Sequence, residues 1–391
     1  MKRVSKHMKA IINGKIIKEN GIIEDKVLLF DEKIIDLISK DSMNDISDKN
    51  NDLEIIDAEG NYVSPGFIDL HIHGSGGSDV MDGTIKDVEI ISRTIAETGV
   101  TSFLPTTMTM SKDKIYNALE NIRLCKKKSF NGAKVLGAHL EGPFINKIYK
   151  GAQSVDYIIE PSYEFIEDYL DIINIITLAP ETDKKLSFVK KVKKNNDDIV
   201  LSIGHSNATF EEAIEAIEEG ISHATHTFNA MTALNHRKPG IVGAVLSKDV
   251  YCELIADKIH VHPGIYNLMI KTKGKDKIVL ITDCIRAGCL KCGVSELGGQ
   301  KVIVDEMTAR LEDGTLAGSI LTLNKAVKNF YENSQVSLCD VIGLVSWNPA
   351  NDIGIINERG TLDIGKYSDI VIFDEDINIK YTIVEGNIVF Q

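Results

Sequence analysis

Gly204-His205-Ser206-Asn207-Ala208-Thr209, followed after a helical stretch by His223-Ala224-Thr225-His226-Thr227-Phe228-Asn229-Ala230-Met231, decides how this chain is read. Val200, Leu201 and Ile203 form a short apolar run that stops at Gly204-His205. Thr209 with Glu212 three residues on is a capping box, in which hydroxyl and carboxylate each satisfy a free backbone N–H of the first turn. Ala213, Ile214 and Ile217 give that helix one apolar face, and Gly220 suits its end. The chain then returns through a second short strand to His226. His223 and His226 differ by an odd number, so strand alternation lets only one face inward. His226, nearer the loop, is the expected site residue, and His223 a packed, hydrogen-bonded one. Strand, helix and strand then deliver two histidines to the same end of a βαβ unit. Either histidine alone is more simply a core or loop residue; the sequence upstream changes that.

Upstream lies Ser64-Pro65-Gly66-Phe67-Ile68-Asp69-Leu70-His71-Ile72-His73-Gly74, a buried strand ending in His-x-His. Residues two apart in a strand share a face, so His71 and His73 can reach one metal ion. Two imidazoles side by side in an apolar strand are costly unless something binds them. Gly74, Gly76 and Gly77 leave room above. Strand-like and helix-like segments alternate from there. Strands are expected at Phe67–His71, Ser102–Pro105, Val135–His139, Ile173–Leu178, Ile199–Ile203, the segment ending at His226, Cys252–Ile255 and Ile278–Ile281. Helices are expected around Val88–Thr98, Lys112–Lys126, Tyr163–Leu170, Leu186–Lys194, the stretch after Thr209, Val242–Ser247 and Pro263–Lys271. Eight strands with intervening helices predict an α/β fold, a TIM-like (β/α)8 barrel, whose sites lie at the C-terminal strand ends. His71, His73, Glu141, His205, His226, Asp257, His260 and Asp283 all fall there.

The two ends differ from this middle. Ile11, Ile12, Ile16 and Ile17 flank Asn13-Gly14, a hairpin signal. Val27–Phe30 and Lys33–Ile38 continue in short strands, and the polar run Ser39–Asp52 reads as an exposed loop. Ile370–Phe373 and the segment from Ile379 to Phe390, with a turn at Glu385-Gly386-Asn387, have the same texture. Residues 1–63 and 361–391 are expected to form one small β-sandwich domain beside a catalytic barrel over residues 64–360.

The chain has 391 residues, 43% of them hydrophobic, enough for such a core. Its net charge of -13 argues against nucleic acid or an anionic membrane as partner. A small anionic substrate would need a local cationic pocket. No apolar run approaches membrane-spanning length. The start, Met1 to Lys9, is basic but leads into a segment too short and polar for a signal peptide, with Met8 an alternative start. A cytoplasmic protein with reduced thiols is expected. Cys284, Cys289 and Cys292 have C-x4-C-x2-C spacing, superficially that of an iron–sulfur site, but the pattern is weak without wider context.

Glu141 ends the third strand in His139-Leu140-Glu141-Gly142-Pro143-Phe144. With His205 and His226 it makes a one-Glu, two-His site of the hydrolytic type, leaving coordination positions open for water and substrate. Asp283, after Val279-Leu280-Ile281-Thr282, ends the eighth strand, where a carboxylate can serve as general base beside a metal that activates water and polarises a carbonyl.

The chain resembles the N-acetylglucosamine-6-phosphate deacetylase family of the amidohydrolase superfamily. The runs that carry the resemblance are Pro65–Asp69, Leu140–Phe144, Gly204–Ser206, His226–Met231, Ile255–Asp257, Ile281–Asp283 and Gly314–Ser319, in family order along nearly the whole chain. The resemblance implies that Glu141, His205 and His226 are metal ligands and Asp283 the catalytic acid/base. It implies substrate contacts at Ala152, Asn229, Ala230, Arg237, Asp257, Lys258, Ile259, His260, Leu316, Ala317 and Gly318. Arg237 would pair with a phosphate in bidentate fashion, helped by the N–H groups of Asn229-Ala230. In the family that arginine can come from the neighbouring subunit, which implies a homodimer. His71 and His73 place the chain with members holding two metal ions rather than one, and zinc, iron or manganese suits the donors. Gln153 stands where the family often has histidine; its amide can donate to an oxyanion but cannot shuttle protons. The expected reaction is hydrolysis of the acetamide of N-acetylglucosamine 6-phosphate to glucosamine 6-phosphate and acetate. Rival readings are another amidohydrolase, such as a cyclic-amide hydrolase or deaminase, and a catalytically silent sugar-phosphate sensor.

Overall fold

A computed structural model describes residues 8–43 and 52–391. Residues 1–7 and 44–51, which include most of the basic start and of the polar run, lie outside the described residues. At its centre is a closed ring of parallel strands. Phe67–Ile72 pairs with Val100–Pro105, which pairs with Lys134–Val135. The third strand breaks there and resumes at Ala138–Glu141, tied back through a Thr106–His139 bridge. Ile173–Leu178, Val200–Ile203, His223–Ala224, Tyr251–Ile255 and Ile278–Ile281 follow in order. The ring closes where Asp283 N–H donates to His71 C=O at 2.9 Å and His73 N–H to Cys284 C=O at 2.8 Å. The eight expected strands are thus present. They are short, near-continuous apolar runs because a parallel strand in a barrel is covered on both faces.

The intervening helices match the sequence reading within a few residues: Ile85–Ala96, Lys112–Lys126, Ser187–Asn195, Phe210–Glu218, Gly240–Ser247 and Tyr266–Lys273. The segment from Tyr163 is shorter than expected, one α-turn to Ile166 followed by a 3-10 turn. Around the Phe210–Glu218 helix both halves of the capping box form, with Glu212 N–H on Thr209 Oγ1 at 3.2 Å and Thr209 N–H on Glu212 Oε2 at 2.8 Å.

The chain ends build two further sheets. One has six strands in the order Asn387–Phe390, Ile379–Val384, Ile370–Phe373, Tyr62–Pro65, Lys15–Lys18, Gly21–Ile23; the other runs Ile34–Ser39, Lys26–Phe30, Lys9–Ile12, Glu54–Asp57. Ile11, Leu28, Phe30 and Ile34 of the second share one apolar cluster with Ile16, Val63, Ile370 and Ile372 of the first. The Asn13-Gly14 hairpin is a correction. Lys9–Ile12 and Lys15–Lys18 do not pair but belong to different sheets. Asn13 is left-handed (φ 55°), and Gly14 lies so close to Val63 that a Cβ would meet its Cγ2 at 2.4 Å. The two residues form a corner between sheets, and the actual hairpin follows it, joining Lys18 to Gly21. The turn at Glu385-Gly386 joins two antiparallel strands as expected.

Several elements went unforeseen, among them helices at Leu323–Asn333, Leu338–Gly343 and Trp347–Asp352. Gly293–Leu297, Gln300–Val304 and Ala309–Leu311 form a three-stranded antiparallel sheet after the eighth barrel strand. It carries its own small core, in which Leu297 and Val302 pack with Met108, Ala152 and Ala317.

Candidate active site

A cavity of about 330 Å³ opens at the C-terminal ends of the barrel strands. At its floor Glu141 is ringed by imidazoles. Glu141 Oε1 lies 3.2 Å from His205 Nε2, 3.1 Å from His226 Nε2 and 3.5 Å from His71 Nε2, while Oε2 lies 3.2 Å from His73 Nε2. The strand ends deliver these groups with backbone strain: His205 (φ 49°), His226 (φ 30°) and Asp283 (φ 48°) are all left-handed. Such non-glycine conformations cost about 1–3 kcal/mol each and gather at functional sites.

The other nitrogen of each ring is already occupied. His205 Nδ1 lies 2.8 Å from Tyr149 O, His226 Nδ1 3.2 Å from Asn229 O, His73 Nδ1 3.2 Å from Thr106 O, and His71 Nδ1 2.9 Å from Glu253 Oε2. Acceptors at all four Nδ1 atoms assign the hydrogen there, and the Nε2 lone pairs then converge. The Nε2 atoms of His205 and His226 are 3.1 Å apart, and those of His71 and His73 3.4 Å. Lone pairs this close repel unless a cation lies between them. The donor set therefore fits a divalent metal: Glu141, His205 and His226 form one group able to hold an ion, and His71, His73 and Glu141 another.

With no ion between them, the carboxylates draw protons onto the rings of His71 and His73 instead. Burial alone would raise Glu141, but His71 and His205 reverse it and hold its carboxyl well below the usual range. Burial would lower His73, yet Asp283 and Glu141 push it up to about 10 in the absence of an ion. Asp283 Oδ1 sits 3.5 Å from His71 Nε2 and 3.3 Å from His73 Nε2, and against burial these rings lower its pKa, so it is ionised at neutral pH. Its backbone is clamped as well. Ser319 N–H donates to Asp283 C=O at 2.8 Å, and a Cβ on Gly318 would come within 2.9 Å of that oxygen, so only glycine fits.

Of the expected substrate contacts, Ala152, Gln153, Asn229, Ala230, His260, Leu316 and Gly318 line the cavity. Gln153 is fixed at both ends, its Oε1 accepting Thr109 N–H at 2.8 Å and its Nε2 donating to Glu141 Oε2 at 3.1 Å. Asp257 does not line the cavity; its Oδ2 lies 2.6 Å from His260 Nδ1 and its Oδ1 accepts the N–H groups of Ile259 and His260. Lys258 turns away to Glu332, at 3.6 Å, and Ala317 is buried in the small core. Arg237 is exposed on the loop after His226, outside the cavity, and no lysine or arginine is among the lining residues. His223 is fully buried between the carboxylates of Glu253 (3.1 Å) and Asp352 (2.6 Å), packed as expected, but neither contact has hydrogen-bond geometry, so the expected hydrogen bonding is not seen. Cys284 is buried beside Asp283, with Cys289 and Cys292 exposed in the next loop.

Three carboxylates were passed over in the sequence. Glu253 holds His71. Asp69, raised to about 7 by burial, accepts Thr282 Oγ1–H at 2.6 Å and steadies the strand end before Asp283. Glu181 accepts Asn207 N–H and Ser206 Oγ–H, both at 2.6 Å, and so fixes the loop carrying His205. The usable signal for the first two was an acid inside an otherwise apolar strand.

Residues 62–389 match the model of the amidohydrolase family. The chain belongs to that family. It is 38% identical over 383 residues to N-acetylglucosamine-6-phosphate deacetylase of Bacillus subtilis (strain 168), covering 96% of this chain and 95% of that protein. The crystal structure of N-acetylglucosamine-6-phosphate deacetylase from Pasteurella multocida superposes with a TM-score of 0.90 at 33% identity, covering 97% of this chain and 99% of that one. That from Thermotoga maritima gives 0.85 at 35% identity, covering 98% and 99%. No helix among the described residues is long and apolar enough to cross a membrane.

Proposed function

We propose that the chain hydrolyses the acetamide of N-acetylglucosamine 6-phosphate, releasing acetate and glucosamine 6-phosphate. The observation that carries this reading is its likeness along almost the whole chain to deacetylases of that name. In this reading Glu141, His205 and His226 hold one divalent cation, and His71 and His73 share Glu141 to hold a second; zinc, iron or manganese suits these donors. A bound ion of this kind lowers the pKa of water and polarises a carbonyl. Asp283 takes the proton of the attacking water and returns it to the departing nitrogen, a role that its ionised state and central position support. His260, anchored on Asp257, and the fixed Gln153 amide donate to the acetamide oxygen as negative charge grows on it.

Arg237 acts in this reading on the phosphate of the substrate bound by a partner subunit. Its exposure, and a cavity lining that lacks lysine and arginine, support a homodimer in which each loop completes the other's site. The Asn229-Ala230 amides assist, while Ala152 and Leu316–Gly318 shape the sugar's bed. Residues 1–63 and 361–391 serve as a small supporting domain to the barrel over 64–360, in a cytoplasmic enzyme. The test is acetate release by metal-loaded protein from N-acetylglucosamine 6-phosphate and from the unphosphorylated sugar. Release from the phosphorylated sugar at a much higher kcat/KM is expected; none from either retires the proposal in favour of a sugar-phosphate sensor.

A further inference from the structure

One line of buried charged groups runs through the barrel below the cavity. Glu253, in the strand Tyr251–Ile255, is fully buried, and its carboxylate serves both histidine pairs at once. Oε2 lies 2.9 Å from His71 Nδ1 and also accepts the backbone N–H of His226 at 2.9 Å. The carbonyl of the same residue accepts Thr227 N–H at 2.9 Å, so side chain and main chain together hold the turn that presents His226. Oε1 faces His223 Nε2 at 3.1 Å, and beyond it His223 Nδ1 meets Asp352 Oδ2 at 2.6 Å.

We propose that Glu253 is a positioning residue for both cation sites, orienting His71 through its Nδ1 and His226 through its backbone N–H. The inference rests on the reading of these histidines as metal ligands. One acceptor oxygen fixes the tautomer of His71, so that Nε2 and not Nδ1 faces the cavity. The same oxygen pins the N–H of a residue in a left-handed conformation, where the turn would otherwise relax and carry the ring away. The two sites are therefore coupled from below, through a residue that touches neither ion. Partners of this kind typically govern metal affinity by about 10–100-fold.

Protein stripped with a chelator is titrated with Zn2+, reading ions per subunit after equilibrium dialysis and affinity by competition with a chromophoric chelator. Wild type, Glu253→Gln and Asp352→Asn are compared, each with its melting temperature. Asp352 belongs to the same buried line but touches none of the four histidines that surround Glu141, so Asp352→Asn reports on damage to the core alone. Wild type is expected to load two ions. Glu253→Gln is expected to bind them about 10–100-fold more weakly, the ion served by His71 first. Asp352→Asn should bind within about twofold of wild type at a comparable loss of stability. Wild-type loading in Glu253→Gln overturns the inference, as does an equal loss in Asp352→Asn. Should Glu253→Gln not fold, Glu253→Asp keeps the charge but withdraws the oxygens by one methylene, and two ions bound at wild-type affinity in it overturn the inference equally. A wild-type chain loading fewer than two ions fails the two-cation reading itself, and this inference with it, before any substitution is made.

Discussion

Phe67–Ile72 in the barrel and Ile370–Phe373 in the six-stranded sheet are both buried along their whole length. The second is apolar throughout. Ile370 and Ile372 face the cluster between the two terminal sheets, while Val371 and Phe373 face the barrel. The first contributes Phe67, Ile68, Leu70 and Ile72 to the barrel core but also encloses Asp69 and His71, both without exposure. A buried carboxyl or imidazole costs several kcal/mol unless every polar atom finds a partner. Here the partners are Thr282, Glu253, Glu141 and Asp283, which tie strands one, three, seven and eight into the site. Equal burial thus serves two ends: one strand holds the molecule together, the other arranges chemistry.

Substitutions should separate these ends. Asp283→Asn is expected to lower acetate release by about 10²–10⁴-fold, the range for a lost general acid–base, with metal content and melting temperature unchanged. Near-normal release with metal bound would remove Asp283 as the base. Phe373→Ala is expected to do the reverse, costing roughly 3–5 kcal/mol in denaturant unfolding through lost burial and the cavity left behind. Its turnover per folded molecule should stay at the wild-type level; a large fall would mean the supporting sheet shapes the site. The smallest effect is assigned to Arg237→Ala. Loss of a charge-assisted phosphate contact should cost about 1.5–3 kcal/mol in kcat/KM for the phosphorylated sugar and nearly nothing for the plain one. Mixing Arg237→Ala with Asp283→Asn subunits should restore part of the activity, and failure of that rescue with intact exchange would place the arginine in its own subunit's site.

What could be read in the sequence was local. The capping box, the apolar strand runs and the histidines at their ends each depend on residues a few positions apart, and each was legible. Asn13-Gly14 was misread because a hairpin turn and a corner between sheets both call for the same left-handed residue; only the distant partners of the flanking strands distinguish them. The sheet over 293–311 escaped because exposed Val294 and Ile303 blur the alternation that marks a half-buried strand, and the few inward side chains, such as Leu297, Val302 and Val304, pack on a small core of their own. Glu253 escaped for a different reason. A single acid in an apolar strand gains meaning only when His71, nearly two hundred positions earlier, is brought beside it.

The pairing of Tyr62–Pro65 with Ile370–Phe373 sets a timetable for the nascent chain. About 300 residues separate the two partners, so at about 5–20 residues per second a ribosome needs roughly 15–60 s to supply the second after the first. Through that interval Tyr62–Pro65 has emerged with one edge unpaired and apolar side chains uncovered, the state in which strands recruit the wrong neighbours. Among the barrel strands only the first, Phe67–Ile72, waits in this way, for the eighth at Ile278–Ile281; the others receive their partners one after another. Arrival of Ile370–Phe373 is therefore the step that closes the sheet, and a chain stopped short of Ile370 should carry a complete set of barrel strands and a sticky edge.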